Sequence, residues 1–267
     1  MNELAARALR GESLDDVLVV DFHVHYASKW NGMNIVVADN DEMIRMAERV
    51  GVDRLVVNGC ILPDLGPAND AVAALASRRP DRVIGFASTN PYQHDMVAEV
   101  RRCFDELGMR GVKLHVMHDR YTTPRPIASY TEEWDALFAY LSERRAPVLF
   151  HGVVTEKMIA DWPEVPFVCA HGVGSVETMD RMARYPNFYV DTAWTQNPAW
   201  AVTRAVDILG TERVVWGTDA PLVDFSHRLG VVLDTELTES QMRQVLGLNA
   251  ARLMGLPAPG VPPLAMP

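Results

Sequence analysis

The chain has 267 residues, 48% of them hydrophobic and 22% charged, which is enough apolar material for a globular protein with a substantial core. Its formal net charge of −10 argues against nucleic acid or an anionic membrane as a partner, because both repel an acidic surface. No apolar run approaches the roughly 18 residues of a membrane span, and the first residues carry acids without a signal-peptide core. The three cysteines, Cys60, Cys103 and Cys169, show no CxxC spacing. We therefore expect a cytoplasmic protein with reduced thiols.

Short apolar runs alternate with helical patterns along the chain. A short helix is predicted over residues 3–10, before the first strand. Strands are predicted over residues 17–25, 54–60, 82–88, 111–116, 146–152, 165–172, 187–193 and 213–221. Helices, with apolar residues three and four positions apart, are predicted over residues 39–52, 69–79, 95–108, 131–145, 155–161, 175–184, 198–209 and 240–254.

Strands that alternate with helices predict right-handed βαβ units and a parallel sheet. Eight such units in a chain of this length predict an α/β fold, a single-domain (β/α)8 TIM barrel over residues 1–256. An open doubly wound sheet is the alternative, but its GxGxxG motif is missing after the first strand. The Pro-rich stretch 257–267 predicts an extended or disordered tail.

The first predicted strand ends in Asp21-Phe22-His23-Val24-His25. Because side chains alternate across a strand, His23 and His25 are expected to face the same way. Two imidazoles on one face of a buried strand can begin a metal site, although they are equally compatible with a hydrogen-bonded pair in the core. The other strand ends have to decide between these interpretations.

Ligand-type residues end four further strands. Lys113 and His115 lie in strand 4, and His151, His171 and Asp219 end strands 5, 6 and 8. A barrel brings these ends together, where such groups are costly unless they serve a site. Nitrogen and carboxylate ligands without thiolates suit Zn²⁺, with Mn²⁺, Fe²⁺ or Co²⁺ as alternatives. His115 could instead be an ordinary core histidine, and Asp219 could cap the turn that follows it.

Four motifs taken together resemble the amidohydrolase superfamily, and most closely its family 2: DFHVH, FHG, AHG and WGTDAP on strands 1, 5, 6 and 8. The likeness extends from residue 17 to about residue 255 and includes the ending LGLNAARLMGL. The resemblance implies a divalent metal, usually zinc, at His23, His25, His151 and Asp219. It also implies that His171 is catalytic and positions or activates the water or the substrate.

Lys113 has two possible roles within this resemblance. In binuclear members a lysine on strand 4 is carboxylated and bridges two metals, and Lys113, His151 and His171 could supply that second set. In members with one metal, Lys113 could hold a substrate carboxylate or pair with a buried acid such as Asp21. Burial makes either role of a lysine physically reasonable. We favour one metal over two.

The family contains hydrolases of amides, lactones or esters, and decarboxylases or hydratases of aromatic-derived or dienoic acids. The decarboxylases typically carry larger inserted loops, so this compact chain favours a hydrolase that acts on a small organic substrate through metal-activated water. Asp219 would accept the proton of that water. Decarboxylation or hydration at the same metal is the alternative, and a non-catalytic metal-binding barrel is a third hypothesis.

Specificity is expected to depend on the strand-to-helix loops. We predict substrate contacts from Lys113, His115, Trp194 and Arg120, the last of which follows strand 4. An arginine there could bind a carboxylate with two hydrogen bonds, but it could also be a solvated surface residue. A small-molecule substrate is the expected partner, and a homodimer is compatible with the sequence.

Overall fold

The computed structural model describes residues 2–27, 39–59, 65–89, 95–115, 131–152, 154–194 and 196–258. The part of the predicted tail beyond residue 258 lies outside these ranges, as does Cys60. None of the helices in the described part is long and apolar enough to cross a bilayer.

The strands of the described chain form one parallel sheet whose order follows the sequence. They are β1 (Val20–His25), β2 (Arg54–Asn58), β3 (Val83–Ser88), β4 (Val112–His115), β5 (Val148–His151), β6 (Phe167–Cys169), β7 (Phe188–Asp191) and β8 (Val214–Val215). Between β1 and the segment after β8, the sheet closes through a parallel bridge from Val24 to Ala220 and a 2.7 Å hydrogen bond from His25 N to Ala220 O. The predicted single-domain (β/α)8 barrel is confirmed.

One helix precedes β1, and the other helices follow strands or one another around the barrel. They are α1 (Glu3–Leu9), α2 (Asn40–Arg49), α3 (Leu65–Arg78), α4 (Met96–Asp105), α5 (Thr131–Glu143), α6 (Glu156–Asp161), α7 (Val176–Met182), α8 (Ala199–Leu209), α9 (Phe225–Leu233), α10 (Glu239–Arg243) and α11 (Asn249–Leu253). A π-helical turn, Gln244–Leu248, joins α10 to α11, so the single predicted helix 240–254 is a composite.

Helix α9 is absent from the predicted elements. It begins after Asp224, whose side chain accepts a 2.8 Å hydrogen bond from Ser226 N. Its sequence combines a central glycine, Gly230, with adjacent apolar residues, and this pattern masks the helical period because glycine disfavours helix interiors.

The core has two parts. The larger cluster lies between the barrel and its helices and includes strand residues such as Val57, Leu114 and Phe150. The smaller cluster fills the lower barrel interior with alternate strand residues, including Val56, Leu149 and Val168. Ala250, Leu253 and Met254 from the last helical segment close this inner core from below.

Strand β1 departs from strict alternation. Its register against β2 shifts between Asp21 and Val24. Phe22 therefore belongs to the inner core, where it packs edge-on against Phe86 with ring centroids 5.5 Å apart, while the next residue, His23, is also fully buried and faces the carboxyl end of the barrel. Because of this irregularity, two consecutive residues of β1, the apolar Phe22 and the polar His23, both lie inside the barrel.

Candidate metal centre

Three buried side chains converge at the carboxyl end of the barrel. The Nε2 atoms of His23 and His25 lie 3.3 Å and 2.9 Å from the same carboxylate oxygen, Oδ1 of Asp219. All three residues are at most 2% exposed. Their ligand atoms lie within 4.8 Å of one another, the spacing of a set that could hold one metal ion. His23 and His25, which the sequence predicts to face the same way, both direct Nε2 toward this carboxylate oxygen.

The other ring nitrogen of each histidine is already engaged. His23 Nδ1 lies 2.7 Å from Asp191 Oδ2, and His25 Nδ1 lies 3.1 Å from Asn58 Oδ1. Asn58 also donates to Val24 O at 2.9 Å, which fixes its amide oxygen toward His25. Both imidazoles therefore carry hydrogen on Nδ1 and direct Nε2 toward Asp219, the arrangement found around metal-bound histidines.

This donor set fits a divalent cation. Two imidazole nitrogens and a carboxylate oxygen meet at one point, and a cation placed there could be bound by all three. Burial lowers the pKa of His23 well below its usual value, and the charge of Lys113 lowers it further, so the ring is neutral and able to act as a ligand. Histidine and carboxylate ligands suit zinc, manganese, iron or cobalt.

Asp219 is placed by an unusual backbone conformation. It lies four residues beyond β8, with φ of +74°, and its N–H donates to His23 O at 2.9 Å. Burial opposes ionisation of the carboxyl group, but the hydrogen bond from His25 and the charges of His25, His171 and Lys113 give it a lowered pKa. The side chain faces the histidines, so the cap of the following turn is not its main role.

His171 lies beside this set with a free ring nitrogen. Its ring centroid is 5.2 Å from that of His23 and 5.5 Å from that of Trp194. Its backbone has φ of +59°, and its N–H donates to Asp191 Oδ1 at 2.6 Å. Among the described residues, the buried Nδ1 of His171 has no hydrogen-bond partner. A buried, unpaired ring nitrogen at this position is available to a substrate or to an ion.

His151 and His115 form a pair at the edge of the site. The two residues lie opposite each other in the β4–β5 ladder, and His151 Nδ1 is 2.9 Å from His115 Nε2. The ring of His151 is 5.0 Å from that of His171. Burial, helped by the charges of Lys113 and His171, lowers the pKa of His151 to about 4. His151 is not one of the three converging residues, so its role as a fourth ligand stays a prediction.

The remaining predicted residues occupy different surroundings. Lys113 is 1% exposed, and its Nζ lies 2.7 Å from His23 Nε2. Trp194 follows β7 and is 39% exposed beside His171. Arg120 lies outside the described residues. The suggested partner of Lys113, Asp21, accepts hydrogen bonds from Thr218 Oγ1 at 2.6 Å and from His23 N at 3.0 Å.

The segment that carries Trp194 is anchored from behind. Arg228, fully buried on α9, donates through Nη1 to Asn197 O at 2.8 Å and through Nη2 to Thr192 O. Its long side chain thus ties both ends of the β7–α8 connection to the helix that follows β8. Trp194 itself has φ of +87°, a conformation that such support can maintain.

Sequence reasoning missed Asn58 and Asp191, although each is the last residue of its strand. The rule that identified His151, namely a polar residue at the end of an apolar run, applies equally to RLVVN and NFYVD. Their part in the site depends on contacts with β1, and such contacts become visible only when the barrel is assembled.

The amidohydrolase family model, Amidohydro_2, matches residues 20–256. The chain belongs to the amidohydrolase family. The match begins at β1 and ends after α11, so it covers the whole barrel with all the strand ends described above. No curated protein sequence matches this amidohydrolase at a significant level.

Solved structures share the fold of this amidohydrolase over most of its length. A 2,6-dihydroxybenzoate decarboxylase from Rhizobium has a TM-score of 0.70 and 16% identity, over 89% of this chain and 98% of that chain. A dihydroxybenzoic acid decarboxylase from Polaromonas sp. JS666, with bound manganese and the inhibitor 2-nitroresorcinol, has a TM-score of 0.70 and 16% identity. The match covers 89% of this chain and 97% of that chain. A 4-oxalomesaconate hydratase from Rhodopseudomonas palustris has a TM-score of 0.68 and 16% identity, over 89% of this chain and 95% of that chain.

Proposed function

We propose that this amidohydrolase is a divalent-metal-dependent hydrolase of a small organic amide, lactone or ester. The observation that carries the proposal is the convergence of His23 Nε2, His25 Nε2 and Asp219 Oδ1 on one point, next to the unpaired Nδ1 of His171. Binding of a cation explains the convergence, and the adjacent free imidazole nitrogen gives the site a group that can act on a substrate.

His23, His25 and Asp219 would hold the cation, and His151 is proposed as a further ligand through Nε2, because its Nδ1 is occupied by His115. When bound, a divalent cation supplies Lewis-acid polarisation of a carbonyl group and acidifies water. Zinc is the first choice for these ligands, and the manganese in the Polaromonas decarboxylase makes Mn²⁺ the second.

Asp219 is proposed to move the proton. Its lowered pKa leaves the carboxylate able to accept the proton of water as the water oxygen bonds to the carbonyl carbon. The same carboxyl group then returns the proton to the leaving nitrogen or oxygen, which balances the hydrolysis. His171 Nδ1 is proposed to form a hydrogen bond with the reacting carbonyl or the leaving group.

Non-oxidative decarboxylation or hydration of an organic acid is the second candidate. It is supported by Lys113, whose buried ammonium group is 2.7 Å from His23 Nε2 and could bind a substrate carboxylate. The decarboxylases and the hydratase among the similar structures act on acids that suit such a contact. In this reaction Asp219 and His171 would transfer a proton to carbon.

The first experiment measures metal and turnover in the same protein. The purified chain is stripped with a chelator, reloaded separately with Zn²⁺, Mn²⁺ or Co²⁺, and assayed against esters, lactones and amides. A parallel carbon dioxide assay uses aromatic and dienoic acids. Hydrolysis that depends on added metal supports the first candidate, and metal-dependent release of carbon dioxide supports the second. A chain that retains none of these ions would contradict both.

The substitution Asp219→Asn tests the proton transfer. We expect turnover to fall by about 10²- to 10⁴-fold, because an amide cannot accept the proton. The matched control is Asp207→Asn, an exposed position on α8, which should behave as the wild type. Turnover of Asp219→Asn near that of the control would remove Asp219 from this role.

A further inference from the structure

We infer that Asp191 is a positioning residue that fixes the tautomer of His23 and anchors His171 through a single carboxylate. The inference deepens the proposed function and rests on the proposal that His23 binds metal through Nε2. Asp191 is the last residue of β7 and is fully buried, so it acts through its protein neighbours.

Both oxygens of Asp191 accept hydrogen bonds. Oδ2 lies 2.7 Å from His23 Nδ1, while Oδ1 accepts from His171 N at 2.6 Å and from Ala193 N at 3.1 Å. The two backbone groups can only donate. A carboxylate accepts hydrogen bonds at both oxygens. Asp191 therefore accepts from the two backbone N–H groups at Oδ1, and Oδ2 can accept from His23 only if Nδ1 carries the hydrogen.

The opposite side of the His23 ring agrees with this tautomer. Lys113 Nζ lies 2.7 Å from His23 Nε2, and an ammonium group can donate but cannot accept. Nε2 therefore carries the lone pair, and the same lone pair is required of a metal ligand. Asp191 and Lys113, on opposite sides of the ring, thus favour the same tautomer of His23, with hydrogen on Nδ1 and the lone pair on Nε2.

The contact to His171 has a separate effect. His171 adopts the left-handed conformation, with φ of +59°, which is uncommon for a residue that has a side chain. The bond from its N–H to Asp191 is one of the contacts that hold this conformation and therefore the direction of the imidazole. One carboxylate thereby sets the relative placement of the metal-facing ring and the catalytic ring.

The packing around His23 and Asp191 leaves little space for side chains of a different size. A Cβ atom added to Gly217 would lie 2.9 Å from the Cβ of His23 and 3.6 Å from the Cβ of Asp191. The two side chains are therefore packed against the backbone beyond β8. A change of length at Asp191 would disturb this packing, whereas asparagine preserves the shape and alters only the hydrogen-bonding character.

The substitution Asp191→Asn therefore isolates the effect. Its amide oxygen would remain opposite the two backbone N–H groups, and its NH₂ group would face His23 Nδ1. The amide would then favour a His23 ring that accepts at Nδ1 and carries hydrogen on Nε2, against the donation from Lys113, and such a ring could not bind a metal through Nε2.

The first measurement is nitrogen NMR of ¹⁵N-histidine-labelled, metal-free protein, with the His23 signals assigned from their loss in His23→Gln. We expect hydrogen on Nδ1 of His23 in the wild type and on Nε2 in Asp191→Asn. The wild-type spectrum alone can overturn the inference, because hydrogen on Nε2 there would contradict it even if the variant did not fold.

The second measurement is calorimetric titration with Mn²⁺ and Co²⁺. We expect Asp191→Asn to bind each ion about 10- to 100-fold more weakly, as for other changes to the hydrogen-bond partner of a metal-bound histidine. The control is Asp224→Asn, because Asn is an equally good N-cap for α9. An unchanged affinity together with an unchanged tautomer would overturn the inference.

The two proposals fail in different ways. If the wild type binds no metal but the tautomer of His23 switches in Asp191→Asn, the proposed function is wrong and the orienting role of Asp191 is confirmed. If the wild type binds metal and the variant binds it equally well with the same tautomer, the metal centre remains and the role of Asp191 is wrong.

Discussion

The lower and upper halves of the barrel interior are made by the same strands but have opposite chemistry. On β2, buried Val56 is followed two residues later by Asn58. On β5, Leu149 precedes His151 in the same way. Because alternate residues share a face of a strand, each pair contributes one side chain to the apolar floor and one to the polar site.

The difference separates stability from chemistry. In the lower half, apolar contacts continue into the last helical segment through Leu253 and Met254, and burial there favours folding. In the upper half, His23, His25 and Asp219 are buried polar groups, and their burial costs folding free energy that hydrogen bonds to their neighbours only offset. Substitutions in the two halves should therefore affect different measurable properties.

The largest effect on the upper half is expected from His25→Ala. Removing one of the three converging ligand atoms should weaken Mn²⁺ or Co²⁺ binding by more than the roughly 10- to 100-fold expected for a hydrogen-bond partner. The matched control is His227→Ala, at an exposed position on α9. Calorimetric titration measures both, and a wild-type metal stoichiometry and affinity in His25→Ala would contradict the ligand assignment.

The reciprocal change in the lower half is Leu149→Ala. Truncation of this fully buried side chain should lower the free energy of unfolding by about 2–5 kcal/mol, through lost apolar burial and a residual cavity. Metal affinity should change little, because the cavity lies below the polar layer. Urea denaturation and metal titration of the same preparation check both halves of the prediction, which fails if metal binding is lost while stability is retained.

A smaller effect is expected on the pH dependence of the free energy of unfolding, and it arises from Asp21 in the polar half. Burial raises the pKa of Asp21 to about 7, although hydrogen bonds from Thr218 and His23 act in the other direction. Since the folded protein then binds a proton that the unfolded chain releases above about pH 4, this group favours folding at low pH and the contribution is lost as the pH rises to 7.

The substitution Asp21→Asn removes that titration. The free energy of unfolding of the metal-free variant should fall less than that of the wild type between pH 4 and 7. Urea denaturation across this range measures it, with exposed Asp41→Asn on α2 as the control. Profiles of Asp21→Asn and wild type that run parallel would show that Asp21 does not titrate in this window.

The sequence was sufficient for the fold because each strand and most helices have a clear local period. It failed where long-range contacts decide the structure. Only two residues of the predicted eighth strand form β8, because the chain beyond Val215 bonds partly to the π-helical turn (Trp216 N to Val245 O, 2.9 Å).

The site was predictable to the same extent. The grouping of His23, His25 and Asp219 could be predicted because residues of types that can bind metal end apolar runs. The partners that orient them could not be assigned in this way, since Asp191 and His23 are 168 positions apart in the chain and meet only through barrel closure. The left-handed backbone of His171 and the lack of a partner for its Nδ1 among the described residues likewise have no signal in the local sequence.

Arg228 has a consequence for the thermodynamics of substrate binding. Its hydrogen bonds to Thr192 O and Asn197 O fix the connection that carries Trp194 to the packed body of the protein. The conformational entropy of Thr192 and Asn197, on either side of the segment with Trp194, is therefore lost during folding and not when a substrate arrives. If Trp194 contacts a substrate, as the sequence predicts, less conformational entropy would have to be lost on binding there, and more of the contact energy would contribute to affinity.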